Sequence, residues 1–129
     1  MNGAVAFETT DAPVTVLRYL HAIEAQLGRV RRQRWEARVC DIDMLACGDE
    51  IAPDKAKVLR WIYQPETEQG VNAPEELILP HPRMQDRAFV LVPLADIAPA
   101  WVHPLLGQTT VQMLAALSDA ARLAIVAID

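Results

Sequence analysis

The stretch that most constrains this chain runs from Arg29 to Leu45 and reads RVRRQRWEARVCDIDML. It opens with a crowd of guanidinium groups, Arg29, Arg31, Arg32, Arg34 and Arg38, and closes with Asp41 and Asp43 set between apolar residues. In a strand, successive side chains turn to opposite faces, so Asp41 and Asp43 would share one face and Ile42 and Met44 the other. At about 3.3 Å of rise per residue the two carboxylates would lie roughly 6–7 Å apart. Like charges at that separation repel, and a divalent cation between them removes the penalty. Hard cations such as Mg²⁺ take one or two carboxylates and fill the rest of their sphere with water and substrate phosphates. Guanidinium forks suit phosphate oxygens. The stretch therefore predicts a metal strand over Val39–Ala46 behind a basic loop, a pairing that points to phosphoryl or pyrophosphoryl transfer from a nucleotide. Taken singly, each half has a plainer reading: an arginine run as a solvated or nucleic-acid-binding face, and D-x-D as an edge strand with its charges outward.

The rest of the composition narrows the chemistry. At 129 residues the chain has the length of one domain with a real core. Its net charge of −5 sets the local basic cluster against an acidic background. That favours a compact anion such as ATP over a long polyanion, so no nucleic-acid partner is expected. The glycines, Gly3, Gly28, Gly48, Gly70 and Gly107, spell neither G-x-x-x-x-G-K nor G-x-G-x-x-G, which leaves phosphates to side chains and metal. Ser118 is the only serine, which argues against a serine hydrolase. No Cys/His set has zinc spacing. Cys40 and Cys47 on one strand would stand about 23 Å apart, beyond disulfide reach, which suits a reducing cytoplasm. No apolar run reaches the roughly 18 residues of a membrane span, and no signal peptide is visible at the start.

Along the chain, Gly3–Thr10 alternates weakly and reads as a strand. Asp11 reads as an N-cap with Pro13 in the first turn. Val16, Leu20, Ile23 and Leu27 mark a helical core face, with Gly28 as its stop and His21 and Glu24 on the flank. Gly48-Asp49 reads as a turn, with Glu50-Ile51 starting a short return strand. Residues 52–78 hold a short helix from Pro53 to Trp61 and then a loop, YQPETEQGVNAPEE, long for a compact domain. Arg87–Ala98 reads as a helical segment interrupted by Pro93 and closed by Pro99. Thr109-x-x-Gln112 is a capping box for the next helix. The tail from Arg122 reads as a last strand or a helix continuation.

The joint pattern Trp35-x-x-Arg38-x-x-Asp41-Ile42-Asp43-Met44-Leu45 resembles the signature of the 6-hydroxymethyl-7,8-dihydropterin pyrophosphokinases of folate biosynthesis. The downstream blocks Leu79-Pro80-His81-Pro82-Arg83-Met84-Gln85-Asp86-Arg87-Ala88-Phe89-Val90-Leu91 and Pro93–Pro99 are similar to the same family's, and Asn2–Thr9 to its third strand. The resemblance implies an α+β, ferredoxin-like α/β/α sandwich with a mainly antiparallel sheet, in a single domain over 1–129 with an insertion at about 52–78. It also implies that the chain opens at the family's third strand, so that the sheet is N-terminally incomplete and its open edges invite a homodimer. The implied activity is Mg-dependent transfer of pyrophosphate from ATP to 6-hydroxymethyl-7,8-dihydropterin; the alternative is a catalytically impaired or non-catalytic nucleotide- or polyphosphate-binding relative lacking the pterin wall. By the same resemblance Asp41 and Asp43 hold two Mg²⁺, and Arg29, Arg38 and Arg87 grip the ATP phosphates. His81 contacts the triphosphate or ribose. Arg31 lies on a loop that closes over ATP and is packed down by Trp35. Phe89 stacks on the pterin, and Asn2 bonds its ring edge. Glu24 occupies a recurrent family position and is expected to orient an arginine. The chain departs from the pattern at Glu36, where the family carries a small residue.

Overall fold

The computed structural model describes residues 2–29, 41–64 and 76–123. It divides into two compact units, Thr9–Met44, and Met1–Glu8 with Leu45–Asp129.

Within Thr9–Met44 the main element is α1, Pro13–Arg29. Pro13 suits a first helical position because its fixed φ is already helical and its missing N–H has no partner to lose there. The first-turn amides of Thr15 and Val16 donate to the Ala12 carbonyl at 2.9 and 3.1 Å, so the helix opens one residue later than a cap at Asp11 implies; the Asp11 N–H is taken by Thr9 Oγ1 at 3.0 Å. Gly28 does not stop the helix, which runs through Arg29. Of the expected apolar stripe, Val16 is buried and Leu20 and Leu27 are half-buried, whereas Ile23 is exposed.

The larger unit is built from short helices held by caps and turns. Gly48, at φ 58°, makes the turn that returns the Glu50 N–H to the Cys47 carbonyl at 3.0 Å; a left-handed φ of this kind is cheap for glycine and costly for other residues. Helix α2, Lys55–Tyr63, is capped by Asp54, whose carboxylate accepts from the Lys57 N–H at 2.8 Å. Its i and i+4 residues Val58 and Ile62 meet Ile78 in a core that Ile51, Trp61 and Leu105 flank. Lys57 also pairs with Glu76. A 3₁₀ turn at Met84–Asp86 leads into α3, Ala88–Ile97, which buries Ala88 and Leu91. The helix runs on past Pro93 instead of ending there. A proline inside a helix forfeits one i→i−4 bond, and the burial of Ala88 and Leu91 anchors the turn before it. The pair α3 and α4, Thr110–Ala115, pack on each other, and α5, Asp119–Leu123, follows. No described helix is long and apolar enough to cross a membrane.

The sheet that the resemblance implies is absent from the described residues. Among the described residues there is no strand, only isolated antiparallel bridges at Ala52–Leu79 and Val102–Thr109. The ferredoxin-like expectation is therefore corrected to a helical arrangement, and Gly3–Thr10 and the 41–46 part of the metal strand are irregular chain. The reason lies in the backbone. A strand exists only where a neighbour accepts and donates along its length. Here the Ile42 N–H goes to a glutamate side chain, and the Leu45 carbonyl accepts from the lone His81 amide at 2.8 Å. Those bonds satisfy single groups without starting a ladder.

Candidate functional site

The carboxylate pair keeps its predicted facing although the strand is missing. Asp41 and Asp43 are exposed, while Ile42 and Met44 are half-buried. Between the two aspartates, the Ile42 N–H donates to Glu24 Oε2 of α1 at 2.9 Å, a partly buried bond across eighteen positions of sequence. Glu24 was expected to meet an arginine; its partner among the described residues is this amide. No third aspartate, glutamate, histidine or cysteine gathers at the pair, or forms such a group elsewhere, among the described residues. Two exposed carboxylates, with no third such ligand among the described residues, fit Mg²⁺, which completes its octahedron with water and phosphate oxygens. Arg29 is the last residue of α1. Arg31, Trp35 and Arg38 lie outside the described residues.

In the other unit, the segment after the Ala52–Leu79 bridge holds the remaining predicted side chains. Leu79, Pro80, Pro82 and Met84 are buried and anchor it, leaving His81 and Arg83 half-buried. His81 Nδ1 accepts from the Arg83 N–H at 3.1 Å. A neutral imidazole accepting at Nδ1 carries its proton on Nε2, which makes Nε2 a donor suited to an anionic oxygen. Arg83 reaches Asp86 at 3.4 Å, and Gln85 Nε2 donates to the Pro82 carbonyl at 2.7 Å, which stiffens the turn. Arg87 opens α3, and its guanidinium carbon lies 5.6 Å from the centroid of the Phe89 ring. That is within cation–π range, so the two residues expected at phosphate and pterin respectively are brought onto each other. Phe89 remains 41% exposed, enough ring for a second planar group. Asn2 is exposed.

Two groups escaped the sequence reading. His103 has no exposed surface, and its Nδ1 accepts from the Leu105 and Leu106 amides at 3.2 and 3.1 Å. Burial pushes its pKa down to about 4, so it is neutral. Nothing in Val102-His103-Pro104 signals this. The thiol of Cys47 is raised above its ordinary pKa by burial, then by the charge and hydrogen bond of Glu50, which lowers its thiolate fraction.

Residues 1–99 match the profile of the 7,8-dihydro-6-hydroxymethylpterin-pyrophosphokinases. The chain belongs to this family. Among the family's curated members, a protein of Synechocystis named 2-amino-4-hydroxy-6-hydroxymethyldihydropteridine pyrophosphokinase is 38% identical over 114 residues, covering 88% of this chain and 48% of the relative. Proteins of the same name from Methylorubrum extorquens and Pseudomonas aeruginosa are 41% and 39% identical over 117 and 99 residues, which is 91% and 77% of this chain and 60% and 49% of theirs. The chain thus spans about half the length of the curated relatives it matches. The family match takes in both units, from Asn2 through the aspartate pair and the His81–Phe89 segment to the end of α3.

Proposed function

We propose that the chain contributes the nucleotide side of a pyrophosphokinase of folate biosynthesis that moves the β,γ-diphosphate of ATP to the hydroxymethyl oxygen of 6-hydroxymethyl-7,8-dihydropterin, in the cytoplasm. The observation that carries this is the exposed pair Asp41 and Asp43, oriented outward on either side of a tethered Ile42 amide. In the reaction the pterin oxygen bonds to the β-phosphorus, the bond from that phosphorus to the α,β-bridging oxygen breaks, AMP leaves, and the hydroxyl proton is lost. Asp41 and Asp43 would hold Mg²⁺, two ions in the full complex, which when bound lowers the hydroxyl pKa and neutralises charge on the phosphate oxygens. Arg29, Arg38 and Arg87 bind phosphate oxygens, where charge grows in the transition state. The Nε2–H of His81 donates to the same chain of phosphates or to the ribose. Arg31 and Trp35 close over the nucleotide. Phe89, held by Arg87 on one side, stacks the pterin, and Asn2 bonds its edge.

Residues 1–129 are assayed for AMP release that depends on both the dihydropterin and Mg²⁺, beside calorimetric titration with a non-hydrolysable ATP analogue. Asp41→Ala and Asp43→Ala should abolish Mg²⁺-dependent nucleotide binding with the helical signal unchanged, since removing one of two like charges relieves repulsion in the metal-free chain. Unchanged affinity in both variants would rule out the metal role.

A further inference from the structure

The tether between α1 and the aspartate pair has a consequence for how metal is bound. We infer that Glu24 is a positioning residue for the metal-holding pair: it fixes the peptide between Asp41 and Asp43 without itself ligating the ion. This rests on the reading of Asp41 and Asp43 as the metal residues. Three observations support it. Glu24 Oε2 accepts from the Ile42 N–H at 2.9 Å, a hydrogen bond strengthened by the carboxylate's charge. The Asp41–Ile42 peptide is planar, so holding its N–H sets the direction in which the chain leaves Asp41 and enters Asp43. Residues 41–44 belong to no strand, so no ladder sets their geometry and this side-chain bond takes the ladder's place. Glu24 also fails as a ligand on position. It is half-buried where the aspartates are exposed, and no group of three acidic residues forms at the site among the described residues. A carboxylate already engaged by an amide serves a metal site by orienting its ligands, and removing such a partner characteristically weakens metal binding while the ligands themselves remain.

The test uses Mn²⁺ as the probe, with a non-hydrolysable ATP analogue, read by electron paramagnetic resonance, together with amide hydrogen exchange at Ile42. Glu24→Ala, which raises helix propensity in α1, should weaken Mn²⁺ binding about tenfold, the lower end for loss of an outer hydrogen-bond partner, and speed exchange at Ile42. Glu24→Met, of similar length but without an oxygen acceptor, should do the same and stands in if the alanine variant loses its helical signal. Glu24→Gln keeps an acceptor oxygen, so its Mn²⁺ affinity should stay within about twofold of wild type, because the tether survives, and Ile42 should stay protected. Wild-type affinity in both the alanine and methionine variants would overturn the positioning role and leave the metal reading intact. Binding as weak in Glu24→Gln as in Glu24→Ala, with Ile42 still protected, would overturn it in favour of a charge or ligand role. If the wild-type chain binds no Mn²⁺, or Asp43→Ala binds it as well as wild type, the metal reading itself falls and the positioning role with it.

Discussion

His103 shows how much one side chain can decide. Its imidazole carries no exposed surface, lies edge-on to Trp101 with ring centroids 5.7 Å apart, and caps its own turn by accepting two amides at Nδ1. Protonation would bury a charge, which is why the folded pKa falls to about 4 from 6.5. The sign follows directly. Below pH 6.5 the unfolded chain takes up a proton that the folded chain refuses, so stability present at neutral pH is lost as pH falls from 6.5 to about 4 and then levels off. For a fully buried group the loss amounts to about 3 kcal/mol. Urea midpoints between pH 7 and pH 4 should fall steeply for the wild type and much less for His103→Asn, whose side-chain oxygen can accept in place of Nδ1 without titrating in this range. Equal slopes would show that other groups carry the acid sensitivity.

Among the elements, the best-defined device is the capping box of α4. Thr109 Oγ1 accepts from the Gln112 N–H at 3.1 Å, and Gln112 Oε1 accepts from the Thr109 N–H at 2.8 Å. The helix is six residues long and buries Thr110 and Met113, so losing the cap should be felt beyond the half-buried Thr109 side chain. Thr109→Ala should cost about 1 kcal/mol in urea unfolding, and Asp54→Ala at α2 a similar amount; a change below measurement in both would mean that the caps are redundant with packing. These caps were legible in the sequence because they are local: Thr109-x-x-Gln112, the turn at Gly48-Asp49, and a helix near 53–61 that forms at Lys55–Tyr63 all depend on residues within a few positions. The strands expected over Gly3–Thr10 and over 41–46 are absent for the opposite reason. A period of two says which side chains share a face, and the exposed Asp41 and Asp43 keep that facing, but it does not say whether a neighbouring backbone is present to pair with. Gly28 was misread because the penalty for glycine in a helix is about 1 kcal/mol, small enough for the last turn of α1 to absorb. The bond from Glu24 to Ile42 lay beyond any local pattern, and only the family resemblance marked the residue. The burial of His103 is set by tertiary packing, and its neighbours in sequence carry no sign of it.

At the scale of the whole molecule, the unresolved demand is that of residues 2–8. They belong to the larger unit yet carry no regular structure and no backbone hydrogen bond among the described residues. Val5 is 86% and Phe7 60% exposed, at positions i and i+2 that share one face whenever the segment is extended. An extended segment that presents apolar side chains on one face is a template for pairing with another backbone. We propose a second copy of the same segment as that partner, because antiparallel pairing of two copies satisfies both rows of groups at once and stacks Val5 and Phe7 of each against the other. Light scattering should then show a mass that rises with protein concentration toward a dimer. The double substitution Val5→Lys with Phe7→Lys, which places like charges across the paired strands and removes the apolar face, should return the chain to a monomer without lowering its helical signal. A wild-type chain that stays monomeric at millimolar concentration would end the edge-pairing account, and a charged variant that still dimerises would move the interface away from residues 2–8.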